Sequence, residues 1–245
     1  MTFTGDVALV TGSTRGIGAA TAMLLAERGA HVLVTGRDAR RGMAVVDTIR
    51  TAGGTAEFIA AVLGTADQCA TLANYALVVA GHVDILVNNA AIASFGPSAT
   101  VPEDEFDAGF AVNVKSPYYL VGELAPPMAE RGRGVIVNVT TTVASRGTAQ
   151  SAVYASSKAA LNHLTRCWAA EYGPCGVRVN AVAPGPTLTV DALDVEDLSA
   201  VRGRVPVRRL AQPFEIARTI AYLASDEASF INGAILPADG GRTAV

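Results

Sequence analysis

Tyr154 and Lys158 stand four residues apart in Tyr154-Ala155-Ser156-Ser157-Lys158. That offset puts two side chains on one face of a helix, one turn apart. A phenol titrates near 10 and is a weak acid–base catalyst at neutral pH. A neighbouring ammonium favours the phenolate and lowers that value. The pair is therefore suited to exchanging a proton with a carbonyl or an alcohol. Six tyrosines and two lysines in 245 residues predict only about 0.05 such pairs by chance. The second lysine, Lys115, has no assigned role. The other seventeen basic residues are arginines, a bias that fits the abundance of Ala, Gly and Val. Arginine's larger planar group is no equivalent of an ammonium at position 158.

A second constellation is Thr11-Gly12-Ser13-Thr14-Arg15-Gly16-Ile17-Gly18, directly after the apolar run Val7-Ala8-Leu9-Val10. Glycines let a backbone turn tightly and approach a phosphate. The helix that follows offers free N–H groups and the positive end of its dipole. The expected ligand is a nucleotide phosphate held by Gly12, Ser13, Thr14, Arg15, Gly16, Ile17 and Gly18. Downstream, Val34-Thr35-Gly36-Arg37-Asp38 closes the second apolar run. An NAD site places a carboxylate there, on the ribose 2′-hydroxyl. Here Gly36 takes that place and Arg37 follows, so two guanidinium groups, Arg15 and Arg37, suit a 2′-phosphate. Asp38 is expected to cap the next helix.

These residues need a scaffold, and the hydropathy pattern supplies one. Short β-branched runs at 7–10, 32–34, 58–62, 83–87, 135–139, 177–182 and 234–236 alternate with helical stretches. The helices are expected at 16–28, 39–52, 66–80, 103–124, 152–172 and 213–224. Near-continuous apolar strands between helices predict a parallel sheet covered on both faces. Right-handed crossovers then give an α/β Rossmann-type, doubly wound sheet of about seven strands in one domain, 1–245. Such sheets bind ligands beyond the carboxyl ends of their strands. The irregular, charged stretch 187–212 is the expected substrate loop or lid.

The G-x-x-x-G-x-G spacing after Thr11, with Tyr154 and Lys158, resembles the short-chain dehydrogenase/reductase family, in particular its 3-oxoacyl-reductase-like branch. The resemblance spans about residues 6–243. Asn88-Asn89-Ala90-Ala91 is similar to the family's N-N-A-G turn, which implies that Asn89 and Ala90 border the cofactor. Thr141, thirteen residues before Tyr154, falls where the family normally has the Ser that holds the substrate oxygen. Thr keeps the hydroxyl but stiffens χ1. Thr140 and Thr142 should point the opposite way if the strand continues. Asn is a poor mid-helix residue, and the resemblance gives Asn113 a reason: a water chain from the catalytic lysine towards solvent. Pro184-Gly185-Pro186-Thr187-Leu188-Thr189 resembles the segment that contacts the nicotinamide half through Thr187 and the phosphates through Thr189. Asn232-Gly233-Ala234 and Ala238-Asp239-Gly240-Gly241 are similar as well. Ala60-Ala61-Val62-Leu63 departs from the family, with Val62 where an Asp usually binds the adenine amino group. Leu63 and backbone groups then border the adenine. One such hydrogen bond is worth about 0.5–1.5 kcal/mol.

Composition excludes several classes. Half the residues are hydrophobic, 17% are charged and the net charge is -3, which argues against a basic nucleic-acid surface. No apolar run reaches the roughly 18 residues of a membrane helix. No secretory signal is visible at the first residues. Cys69, Cys167 and Cys175 have no C-x-x-C spacing, and His31, His82 and His163 lie far apart, so no metal is expected. A reducing cytoplasm suits the sparse, odd cysteine count.

The sequence thus predicts NADP(H)-dependent reduction of a small-molecule ketone, with Asn113, Thr141, Tyr154 and Lys158 catalytic and NAD(H) possible. Arg131, Arg133, Arg208 and Arg209 are candidates for docking an acidic carrier protein, although Cys175 stands where such reductases tend to be basic. A free or acyl-like ketone is favoured. The resemblance implies a homotetramer, or a homodimer, assembled through the two long helices that carry Asn113 and Tyr154. Two alternatives stay open: an NAD-linked alcohol dehydrogenase, and a catalytically silent nucleotide-sensing or scaffold protein, motivated by Val62, Ala91 and Thr141.

Overall fold

Seven parallel strands form one sheet in the order β3-β2-β1-β4-β5-β6-β7. The structure is a computed structural model, and it describes residues 2–189 and 203–245. The strands are β1 Val7–Val10, β2 His31–Gly36, β3 Thr55–Ala60, β4 Ile85–Asn88, β5 Gly134–Val139, β6 Val177–Pro184 and β7 Ile235–Ala238. The helices are α1 Gly16–Glu27, α2 Ala39–Thr51, α3 Ala66–Ala80, α4 Glu103–Phe110, α5 Ser116–Glu130, α6 Ala152–Tyr172 and α7 Pro213–Ala224. The Rossmann-type α/β architecture expected from the pattern is the one observed.

Strand side chains alternate between faces, and both faces are covered. Ala8 and Val10 of β1 pack into a core with Leu25 of α1, Val46 of α2 and Ile220 of α7. Their neighbours Val7 and Leu9 face a second core with Leu72 of α3, Leu124 of α5 and Leu161 of α6. The sheet is thus apolar on both sides, which is why its strands read as continuous runs rather than as alternation.

The register aligns the strand ends that matter. Val10 sits opposite both Val34 and Val87, Asn88 opposite Asn138 and Val139 opposite Val182. The winding reverses at β1 and β4, so the connections leave that edge in opposite directions and open a crevice.

Several boundaries differ from expectation, for local reasons. The helix predicted over 103–124 is two helices joined by a π-turn, Ala111–Lys115. Ser116 N–H bonds the Ala111 carbonyl there, and the extra residue per turn lets Asn113 aim sideways. α5 then continues past Pro126 and Pro127 to Glu130. β3 begins at Thr55 and ends at Ala60, so Val62 and Leu63 lie beyond it. Asp38 caps α2, accepting from Arg41 N at 3.0 Å; that bond holds its carboxyl below the usual value. Of the predicted lid, residues 190–202 lie outside the described residues.

Candidate active site

A cleft of about 550 Å³ opens over the carboxyl ends of the central strands, within the size range of cofactor pockets. One end is built from the glycine-rich turn between β1 and α1. Gly12, Thr14, Arg15, Gly16, Ile17 and Gly18 line it, together with Gly36 and Arg37 after β2. Gly12 has φ +63, and a Cβ there would lie 2.9 Å from Ala90 Cα. A Cβ at Gly18 would lie 2.4 Å from the Gly12 carbonyl oxygen and 2.5 Å from Asn89 Nδ2. The turn is therefore closed tightly by its own packing, and only glycine keeps the N-terminus of α1 open to the cleft. No side chain caps that N-terminus, and its first turn holds no acidic residue. An uncapped helix start with a glycine cradle is suited to an anionic phosphate.

Around β2, the missing side chain is again informative. A Cβ at Gly36 would come 2.5 Å from Thr14 Cγ2. A carboxylate at this position would require Thr14 to move, while Arg15 and Arg37 both reach the cleft. Ala61, exposed Val62 and Leu63 complete an apolar wall beyond β3.

Asn89 and Ala90 tie the β4 end to the glycine turn. Asn89 Nδ2 donates to the carbonyls of Thr11 at 2.8 Å and Gly12 at 3.1 Å. The Thr11 hydroxyl accepts from Asn89 N at 2.9 Å and Ala90 N at 3.0 Å. Across the cleft, Pro184, Gly185, Thr187 and Thr189 line the wall after β6. Gly185 N donates to Ala238 O at 3.0 Å, so β7 holds this segment. Thr189 approaches the α1 N-terminus, its Cγ2 only 3.3 Å from where a Gly16 Cβ would be.

The other end of the cleft holds Thr141, Tyr154 and Lys158. Thr141 caps a 3-10 turn, Thr142–Ser145, and its Oγ1 accepts from Val143 N at 3.4 Å. Its proton is thereby left to donate towards the Tyr154 phenol, with which it hydrogen-bonds. The strand does not continue through Thr142. Thr140 turns its hydroxyl back to Val182 O at 3.2 Å. Lys158 is 1% exposed and donates to the Val139 carbonyl at 2.8 Å. Burial without a neighbouring carboxylate lowers its ammonium from the usual 10.5 to about 7. Burial also pushes the Tyr154 phenol up, partly offset by the Thr141 hydrogen bond. The depression of the phenol expected from the ammonium is thus absent: desolvation is the largest influence on both groups.

Two expected site residues do not face the cleft. Ser13 is fully buried, donating to Val10 O at 2.6 Å and accepting from Thr35 N at 2.9 Å, so it braces β1 against β2. Asn113 is also fully buried. Its Oδ1 accepts from Ile92 N at 2.9 Å, and its Nδ2 donates to Ile92 O at 2.8 Å and Ser157 Oγ at 3.0 Å. The side chain thus anchors the β4–α4 loop to α6. The lining at this end is apolar: Ala91, Ile92, Ala93, Ala108, Ala111 and Val112. Ala108 lies in the last turn of α4, and Ala111 and Val112 open the π-turn that follows.

The arginines considered for carrier docking are engaged within the chain. Arg131 bonds Val83 O at 2.7 Å and Pro127 O at 3.1 Å, and Arg133 pairs with Asp6. Both precede β5, at the amino ends of the strands, opposite the cleft. Arg209 makes a bidentate pair with Glu215 at 2.6 and 2.7 Å, and Arg208 bonds Gly203 O at 2.8 Å. Among the described residues, no cluster of three His, Cys, Asp or Glu is placed to hold a metal, and no helix is long and apolar enough to cross a membrane.

The site can be set beside known proteins. A family model described as enoyl-(acyl carrier protein) reductase matches residues 12–243. A cis-4-hydroxycyclohexanecarboxylate dehydrogenase of Sinomonas cyclohexanicum is 41% identical, covering 99% of this chain and 98% of its own. A solved short chain dehydrogenase/reductase family protein is 45% identical with TM-score 0.92, both chains being covered fully. A structure provisionally assigned as an NAD(P)-dependent gluconate 5-dehydrogenase from Beutenbergia cavernae contains NADP at low occupancy. It is 36% identical with TM-score 0.93, covering 100% of this chain and 99% of its own.

Proposed function

Because the chain belongs to the short-chain dehydrogenase/reductase family of oxidoreductases, we propose that it reduces a small-molecule ketone to the alcohol with NADPH. The observation that carries this reading is the polarity of the cleft. Phosphate-binding features and two guanidinium groups lie at one end, and a Tyr–Lys–Thr constellation with a buried lysine at the other. The cradle fits a dinucleotide: the α1 N-terminus is uncapped, and Gly12 and Gly18 leave no room for side chains. Arg15 and Arg37 would hold the 2′-phosphate, Val62 and Leu63 the adenine, Asn89, Ala90 and Lys158 the nicotinamide ribose side, and Pro184, Gly185, Thr187 and Thr189 the far wall. When bound, the cofactor supplies the hydride that the carbonyl carbon accepts.

This chain's residues supply position and a proton. Thr141 and Tyr154 both line this end of the cleft, and each hydroxyl could donate to a carbonyl oxygen bound there. Tyr154, protonated at neutral pH like any phenol, transfers its phenolic proton to that oxygen as negative charge develops. Lys158 Nζ, held by the Val139 carbonyl, presents its remaining N–H groups towards the cleft. Asn113 acts as a positioning residue, through the backbone of Ile92. The internal engagement of Arg131, Arg133, Arg208 and Arg209 supports a free ketone rather than a carrier-bound thioester.

The reading extends to a cytoplasmic homo-oligomer, tetramer before dimer. Exposed Phe106, Tyr118 and Tyr119 on α4 and α5, with Tyr118 packed against Trp168 of α6, support it, as do two exposed free thiols, Cys167 and Cys175. The experiment is NADPH oxidation against a panel of ketones and 3-oxoacyl esters, with NADH in parallel. NADPH oxidation with at least one ketone, and a weaker rate with NADH, is the expected result.

A further inference from the structure

Phe95 lies just beyond the apolar end of the cleft, with 62% of its surface exposed. Its ring centroid is 5.5 Å from that of Tyr154, the planes inclined at 57°. A single exposed phenylalanine is ordinary. This one differs because the loop around it is held from three directions. Ile92 is held on both sides by the Asn113 amide, at 2.9 and 2.8 Å. Ser94 Oγ donates to Glu105 Oε1 at 2.7 Å. Gly96 N donates to the carbonyl of Gln150 at 2.8 Å, and Gln150 itself holds φ 63, in the left-handed region. A non-glycine residue kept there signals a surrounding structure that fixes the loop. The ring is therefore presented, not merely left over.

From this geometry we infer that Phe95 is the specificity-determining wall of the substrate site, and that the ketone it selects carries a planar aromatic ring next to the carbonyl. Two touching rings inclined at 57° form an angled wall, and a third flat ring resting against it would meet one by its face and the other by its edge. Those are the favoured arrangements for aromatic groups at such separations. The neighbouring lining residues Ala91, Ala93 and Ala108 are small, leaving width for a flat ring, and among the described residues Lys158 is the one charged side chain lining this end of the cleft. An acyclic aliphatic chain would fill the same space without the ring contacts.

The inference rests on the reductase reading, and the test separates the two. Wild-type protein, Phe95→Ala, Phe95→Leu and Phe95→Tyr are assayed for NADPH oxidation with 1-tetralone, an aryl ketone, and with 2-octanone, an acyclic one. The expected result is a wild-type preference for 1-tetralone. The aryl-to-alkyl ratio of kcat/KM should fall about tenfold in Phe95→Ala and Phe95→Leu, carried mainly by KM, and recover in Phe95→Tyr. Equal losses of kcat on both ketones would mean that the ring only props Tyr154, and would overturn the inference. So would an unchanged ratio in Phe95→Ala. If the wild type oxidises NADPH with neither of these ketones, nor with any other ketone or 3-oxoacyl ester, the reductase reading itself fails and the inference with it. Turnover of other ketones without 1-tetralone would sink only the inference.

Discussion

Lys158 Nζ and the Val139 carbonyl oxygen lie 2.8 Å apart, a hydrogen bond from the middle of α6 to the last residue of β5. It fixes the ammonium at the wall of the cleft, in a site with 1% exposure. One neutral carbonyl is a poor substitute for water around a charge, which is why the group titrates near 7 rather than 10.5. The site is thus built at a cost to stability, a common mark of function.

That cost is measurable. A base whose folded value is depressed binds its proton less well in the native state. The native protein is penalised fully below about pH 7 and recovers as pH rises towards the unfolded value of 10.5. Lys158→Met should therefore unfold later than the wild type at pH 6–7 in the absence of cofactor, by something on the order of a few kcal/mol. The gap should close towards pH 10. Chemical denaturation at several pH values checks the sign.

Activity should respond in the opposite direction. Lys158→Arg keeps a positive charge but brings a planar fork too large for a compact, buried position. A loss of about 100-fold or more in kcat/KM, with folding retained by circular dichroism, is expected. Full activity would show that the site needs only a cation.

Tyr154 carries a pH prediction of its own. Burial raises its phenol, so phenolate absorbance assigned by difference from Tyr154→Phe should emerge only above the ordinary value of about 10. Reduction needs the O–H and should weaken as pH rises through that transition. Alcohol oxidation needs the phenolate and should strengthen. A transition well below 10 in the cofactor-free protein would contradict the desolvated environment described.

Cofactor choice should follow the residues around β2. Replacing Arg37 by Ala removes one charge-assisted contact, worth about 1.5–3 kcal/mol. NADPH should then bind about 10- to 100-fold more weakly, with NADH little changed. Gly36→Asp alone meets Thr14 Cγ2 at 2.5 Å, so a carboxylate should favour NADH fully only when Thr14→Ala accompanies it. Titration of both dinucleotides reads the outcome.

How much of this was legible in the sequence depends on whether the signal was local. The glycine turn, Asp38 as a cap and the Tyr154–Lys158 offset are short-range patterns, and the chain places them as read. Seven strands followed from apolar runs that the two-sided burial of the sheet requires. The bonding of Ser13 and Asn113 has no local signal because their partners are distant in the chain. Thr35 lies 22 residues from Ser13, and Ile92 lies 21 from Asn113. The π-turn that aims Asn113 has no composition signal. The placing of Phe95 has no local signal, because its neighbour, Tyr154, lies 59 positions away and is brought to it by a loop held at Ile92, Ser94 and Gly96.

The central claim is that Tyr154 gives its proton to a ketone oxygen during NADPH-dependent reduction. The most direct measurement compares wild type and Tyr154→Phe for NADPH oxidation with a ketone that the wild type turns over, alongside NADPH binding by fluorescence. The account predicts a fall in kcat of about 100-fold or more, within the range of general acid catalysis, with cofactor affinity nearly unchanged. Undiminished turnover by Tyr154→Phe would contradict it.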